Sequence, residues 1–366
     1  MMIRHEIHSD LPIPPGEYLA EVIAELGMTK DELARRMNRP AAKLSAIFAG
    51  DKAITSDTAL QLEKVVGVPA HIWTGLEAEY RLTLARLHEA REHQQLQEES
   101  ELVTKFCYKE LAELGLVAKK TKPTEKVSEL QRFFGVTSLR NITDLKRYQA
   151  AFRCAPRKRS PEALAAWLRI GEVKGQKTVC APFDVNKLEK TLPALRSLTL
   201  RAPEQFEPEL HKILAGVGVV LVLAPHLSKT YAHGATFWLS RDKAVLMLTL
   251  RGSWADIFWF SLFHELGHIL LHINKYDVIL ESEEIETENQ AREREADQFA
   301  ADTLIPSEAY KNFVEAGSFY RGDIQRFASR LGIDAGIVVG RLQHDGYIQN
   351  AWHNQLRTRY EWKRRK

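Results

Sequence analysis

Five consecutive residues, His264-Glu265-Leu266-Gly267-His268, have the types and spacing that metal-assisted hydrolysis needs. On an α-helix, side chains four positions apart share a face, so His264 and His268 can aim two imidazoles at one ion. Glu265 can act as general base, taking the proton of an attacking water and passing it to a leaving amine. A catalytic zinc takes three protein ligands and keeps one open position, so one ligand remains to be found. Downstream runs Glu293-Arg294-Glu295-Ala296-Asp297. Glu293 and Asp297 share a helical face with Ala296 and Ala300, small residues that let this helix approach the first one closely. Glu293 is the expected third ligand. Asp297 is the expected carboxylate that holds a ligating histidine by its free ring N–H. Glu295, about 200° around the helix from Glu293, is the alternative ligand. His272 lies four residues past His268 and reads as a packing or solvent-facing histidine, because two histidines and one carboxylate already complete a set. His233, Tyr320 and Arg321 stand as open candidates for stabilising an oxyanion.

The elements around these residues follow from their apolar pattern. Phe260, Leu262, Phe263, Ile269, Leu270 and Leu271 flank the motif, so its helix is buried. Buried polar groups are costly unless compensated, and a metal would compensate them. Upstream, Val217 to Val222, Gly234 to Leu239 and Lys243 to Leu250 read as strands, after a helix at 205–216. Between 101 and 202 the pattern is helical with breaks, including a basic loop, Ala155-Pro156-Arg157-Lys158-Arg159-Ser160-Pro161.

The chain has 366 residues, room for roughly two or three domains. No apolar run reaches the roughly 18 residues of a membrane-crossing helix, and no signal peptide is evident. Cys107, Cys154 and Cys180 are odd in number and unpaired by spacing, which fits a reduced, cytoplasmic protein. Net charge is only +3 but uneven: residues 101–262 hold 26 Lys and Arg against 15 Asp and Glu, and residues 263–350 hold 8 against 16. The basic middle could face an acidic partner or nucleic acid, or be simply solvated.

The front of the chain reads as short helices with tight connections. Leu19, Val22, Ile23 and Leu26 form one stripe, closed by Gly27. Thr29 and Glu32 make a capping box for a helix from Lys30 to Met37. Asn38-Arg39-Pro40 then turns the chain into a third helix, Ala41 to Ala49, and a fourth opens at Thr55 or Ser56. Two such helices across a short turn are a helix-turn-helix unit. A long polar helix, roughly Leu76 to Glu113, follows as a spacer.

Two resemblances rest on these residues. His264 to His268, followed by Glu293, Ala296, Asp297, Phe299, Ala300, Leu304 and Pro306, resembles the ImmA/IrrE family of metallo-endopeptidases over roughly 210–345. The resemblance implies a zincin-like fold, Zn2+ held by His264, His268 and Glu293, and Glu265 as catalytic base. It also implies cleavage of a repressor-type protein. The front, about 13–80, is similar to the HigA-like antitoxin branch of the Xre-type helix-turn-helix domains, through Pro15-Gly16-Glu17-Tyr18-Leu19, Leu33-Ala34, Leu44-Ser45, Ile47 and Gly50. Such domains place their third helix in the major groove, which assigns Arg39, Lys43 and Ser45 to base contacts and Arg35, Arg36 and Lys52 to phosphates. Residues 1–90 carry 10 basic against 13 acidic residues, but 30–52 carry six against three. A helical protein-interaction module is the competing reading.

The expected fold is mainly α with a small β-sheet: a helix-turn-helix domain at 1–80, a helical linker and middle region at 81–202, a peptidase domain at 203–350 and a basic tail at 351–366. The expected function is a DNA-binding transcriptional regulator carrying a zinc endopeptidase. Its partners would be operator DNA and a regulatory protein substrate, without a membrane, and operator symmetry favours a homodimer. The alternative is a HigA-like antitoxin or repressor of a toxin–antitoxin module, with the zinc domain as sensor or scaffold.

Overall fold

The computed structural model describes residues 11–146, 148–149, 160–272, 279–280 and 287–362. The basic residues Arg157, Lys158 and Arg159 and the last four residues of the tail lie outside the described residues. Contacts divide the chain into two units, Met1–Glu98 and Glu99–Lys366. The architecture is mainly helical with one small sheet, and no helix among the described residues is long and apolar enough to cross a membrane.

The first unit holds α1 (Pro15–Glu25), α2 (Lys30–Arg36), α3 (Ala41–Phe48), α4 (Ser56–Val66) and α5 (Ala70–Glu98). Thr29 caps α2 by accepting from the Glu32 amide, and Thr55 caps α4 from the Thr58 amide. Leu19, Leu33, Leu44, Ile47, Leu62 and Trp73 fill the core. Gly16 allows α1 to touch the end of α3: a Cβ there would lie 2.4 Å from the Ile47 carbonyl oxygen. Buried Glu77 of α5 accepts from the Ile54 amide at 3.0 Å and from Arg81 at 2.7 Å, tying α5 to the α3–α4 connection.

The polar helix expected to run to Glu113 stops at Glu98. The next residue explains the break. Glu99 is buried, accepts from the Leu139 amide at 2.9 Å and the Gln131 amide group at 3.1 Å, and also takes the Ser138 hydroxyl. Those partners lie around the following helices, so the chain turns in towards them. The second unit continues with α6 (Leu102–Lys105), α7 (Tyr108–Glu113), α8 (Pro123–Phe134), α9 (Pro161–Lys177), α10 (Val185–Ser197) and α11 (Pro203–Ala215).

The sheet comprises β1 (Val219–Leu223), β2 (Gly234–Ser240) and β3 (Lys243–Leu248), with a two-residue β4 (Ile279–Leu280). Its order is β1-β3-β2-β4; β1 runs parallel to β3, and β2 is antiparallel to both of its neighbours. Alternate residues of β3 serve opposite faces. Met247 and Val245 meet α9 where Gly171 and Gly175 leave room for them. Ala244, Leu246 and Leu248 join Trp259, Leu262 and Phe263 in the core on the other side. Segment 99–202 therefore contributes a layer to this unit through α9.

That other side is built on α12 (Ala255–Leu271), backed by α13 (Thr287–Leu304), α14 (Ser307–Glu315), α15 (Arg321–Leu331) and α16 (Ala335–His344). Residues 351–362 of the expected basic tail are stitched to the start of α12 through Arg357 and Tyr360. Arg357 grips buried Asp256 through two bonds, 3.0 and 2.7 Å, and the Trp259 indole donates to the Tyr360 hydroxyl at 3.0 Å. Arg357 and Arg359 also sit over the Trp254 ring, at 4.3 and 4.1 Å from its centroid. Burial still raises the Asp256 carboxyl, although Arg357 pulls it back. Removing one partner of such a pair leaves a buried charge uncompensated. Arg357→Ala is expected to destabilise the second unit by about 3–5 kcal/mol, read from urea unfolding, while the Asp256→Ala, Arg357→Ala double variant should lose less than that single change. A double variant weaker than either single one would show that the pair is not mutually dependent.

Candidate metal centre

The long apolar helix α12 carries His264, Glu265 and His268, all buried, into the middle of the second unit. The acidic helix α13 crosses it closely. A Cβ on Gly267 would lie 3.2 Å from the Ala296 Cα and 3.0 Å from the Phe299 ring, so glycine on one helix and alanine on the other permit the approach. Ala296 and Ala300 are fully buried, as their small size allows.

This approach brings His264, His268 and Glu293 together, with one ligand atom from each inside a 4.8 Å group. The two Nε2 atoms stand 2.9 Å apart, and the Glu293 carboxylate oxygens lie 3.2 Å from that of His264 and 3.5 Å from that of His268. Burial raises the Glu293 carboxyl, the two imidazoles more than offset it, and the group falls to about 2. Burial pushes the His268 imidazole down; Glu293 opposes that and the neighbouring histidines reinforce it. A neutral imidazole is the form that ligates metals.

Asp297, expected behind a ligating histidine, takes that place. Its Oδ1 lies 2.9 Å from His264 Nδ1. An ionised carboxylate only accepts, so the His264 proton sits on Nδ1 and its Nε2 presents a lone pair. That lone pair faces the Glu293 carboxylate, another acceptor, at 3.2 Å. A cation among the three groups would satisfy them together. Ligand atoms from all three lie within 4.8 Å of one another, as one shared ion would require. Two imidazoles and a carboxylate are also the donor types of catalytic zinc. The residues present therefore fit the ion.

Glu295, the alternative ligand, stays outside the group; its Oε2 lies 2.9 Å from His272 Nε2. His272, expected to pack or to face solvent, has its Nδ1 3.1 Å from His268 Nδ1. Two residues that the sequence did not single out hold Glu265. The Thr236 hydroxyl of β2 donates to its Oε2, and Gly234 leaves the space it occupies, since a Cβ there would lie 2.4 Å from Oε1. His233 immediately precedes that glycine, with Nε2 3.5 Å from Arg251 Nη1. Tyr320 and Arg321 open α15, and Tyr320 is 78% exposed.

In the first unit, Arg35, Arg36, Lys43, Ser45 and Lys52 are exposed and Arg39 is half-buried. Arg36 pairs with Glu32, Arg39 donates to the Gln61 side chain at 2.6 Å, and the Ser45 hydroxyl donates back to the Ala41 carbonyl at 3.1 Å.

Gly234→Ala is expected to crowd the Glu265 carboxylate and cost roughly 1–3 kcal/mol as an overpacked core does, measured as a lower urea midpoint. An unchanged midpoint would mean that Glu265 is not lodged against this strand.

Residues 240–343 match the Peptidase_M78 family, described as the IrrE N-terminal-like domain. Over 74 residues, a fifth of this chain, the sequence is 31% identical to virulence-associated protein I of Dichelobacter nodosus and covers 68% of that protein. A solved addiction module antidote protein of the HigA family from Coxiella burnetii is 36% identical, covering 22% of this chain and 88% of its own, with a TM-score of 0.21. A solved putative antidote protein of a plasmid maintenance system from Nostoc punctiforme is 26% identical, covering 24% of this chain and 94% of its own, with a TM-score of 0.23. The chain thus belongs, through its N-terminal helical region, to the family of virulence-associated protein I, and it joins to that region a segment, 240–343, that matches the IrrE N-terminal-like domain.

Proposed function

We propose that the chain is a cytoplasmic, DNA-binding regulator whose second unit is a zinc endopeptidase acting on a repressor or another regulatory protein. The observation that carries this reading is the convergence of His264, His268 and Glu293 beside Glu265. When bound, Zn2+ supplies Lewis acidity, acidifying water and polarising a peptide carbonyl. His264, His268 and Glu293 hold the ion, and Asp297 keeps the His264 ring turned towards it. Glu265 takes the proton of the attacking water and returns it to the leaving amine. Thr236 keeps that carboxylate from swinging away, and the apolar flanks of α12 keep bulk water out.

The first unit supports DNA recognition through the exposed face of α3 and its neighbours, with Lys43 and Ser45 towards bases and Arg35, Arg36 and Lys52 towards phosphates. Arg39, braced by Gln61, serves at the edge of that face. A dimer would match a symmetric operator.

One observation favours a second reading, a metal-sensing antitoxin or repressor without hydrolysis. Glu265 is fully buried and its Oε2 is engaged by Thr236. A base so enclosed can serve as a structural anchor.

The purified chain is expected to retain about one zinc per molecule after weakly bound ions are removed, and His264→Ala to lose it. Metal analysis of both proteins checks this. Glu265→Gln should keep the zinc and lose about 10²–10⁴-fold in cleavage rate. Fragment analysis of neighbouring gene products co-expressed with each form reads the difference; equal fragments would leave the sensor reading standing. Lys52→Ala and Arg35→Ala should weaken duplex binding and each lower the slope of affinity against salt by about one. An unaltered slope would remove both residues from the DNA face.

A further inference from the structure

We propose that His272 and Glu295 form a hydrogen-bonded relay that fixes the tautomer and orientation of His268, which makes them positioning residues of the metal centre. The inference rests on the zinc reading above and adds two residues to it. His272 is the first residue past α12, and its amide still donates to the His268 carbonyl at 3.1 Å. That last helical turn sets its ring beside that of His268, tilted by 45° with centroids 5.3 Å apart.

The proton positions follow from the outer end inwards. Glu295 is a carboxylate and only accepts, so His272 carries its proton on Nε2, which lies 2.9 Å from Glu295 Oε2. With Nε2 committed to Glu295, the His272 Nδ1 is left to accept. His268 Nδ1 lies 3.1 Å from that atom, so it must carry the proton of its own ring. His268 Nε2 is left with a lone pair aimed into the group formed with His264 and Glu293. The opposite tautomer of His268 would set two lone pairs against each other on the His272 side.

Helix α13 therefore serves both histidines. Asp297 reaches His264 directly, and Glu295 reaches His268 through one intervening imidazole. The His272 side chain is only 6% exposed and that of Glu295 63%, so the inner member should matter more than the outer one.

The test uses the full chain with histidines labelled for NMR, together with chelator competition for Zn2+. In the zinc-free wild type, His268 is expected as the Nδ1–H tautomer. His272→Leu should give a mixture of tautomers and weaken zinc binding by about 10–100-fold. His272→Gln should restore most of both, because its amide oxygen can accept the same proton. Glu295→Ala should lose only a few-fold, roughly in line with an exposed partner. A single Nδ1–H tautomer in His272→Leu, or zinc affinity there equal to wild type, overturns the relay. So does a His272→Gln variant no better than His272→Leu in both readouts. A wild type that shows the expected tautomer but takes up no zinc would instead overturn the zinc reading and leave the relay intact.

Discussion

Two imidazole nitrogens 2.9 Å apart, with a carboxylate 3.2 and 3.5 Å away, meet in the buried centre of the second unit. Bringing three such polar groups together away from water is the constraint on which this unit turns. Each neighbouring element either brings those atoms together or keeps them pointed inwards. Gly267 and Ala296 let two helices approach until ligands from both can meet. Thr236 and Gly234 seat the general-base candidate against the sheet. The segment around Arg357 and Tyr360 anchors the first turns of the histidine helix.

The scaffold meets the requirement by layering. One face of β3 packs on α9 and the other on α12, so the histidine helix is backed by a sheet that is itself backed by a helix. Such support holds a ligand set to a fraction of an ångström, which loops alone would not. The first unit is a small helical domain with its own core of Leu19, Leu33, Leu44, Leu62 and Trp73.

Much of this was legible in the residues, and the rest fails to appear there for identifiable reasons. Helical spacing placed His264 with His268 and Glu293 with Asp297, because a four-residue period is a local property. The strands near 219, 234 and 243 stood out as short β-branched and apolar runs. Thr236 and Gly234 did not, since a threonine and a glycine in a strand look ordinary until the helix above them is known. His272 reads from the sequence as a packing or solvent-facing residue, because its contact with Glu295 comes from another helix and has no local signature. The polar helix was read past its true end because the buried partners of Glu99 lie 32 to 40 residues further on. The segment beyond 350 read as a charged tail, since nothing nearby indicates that Arg357 answers Asp256 across 101 positions.

The central claim is that one ion sits among His264, His268 and Glu293. X-ray absorption at the zinc edge, on the full chain as purified, tests it most directly. The account predicts a first shell of nitrogen and oxygen alone at about 2.0–2.1 Å, with the scattering pattern of two imidazoles and no sulfur. A sulfur ligand, a single imidazole, or zinc with only water around it would contradict it.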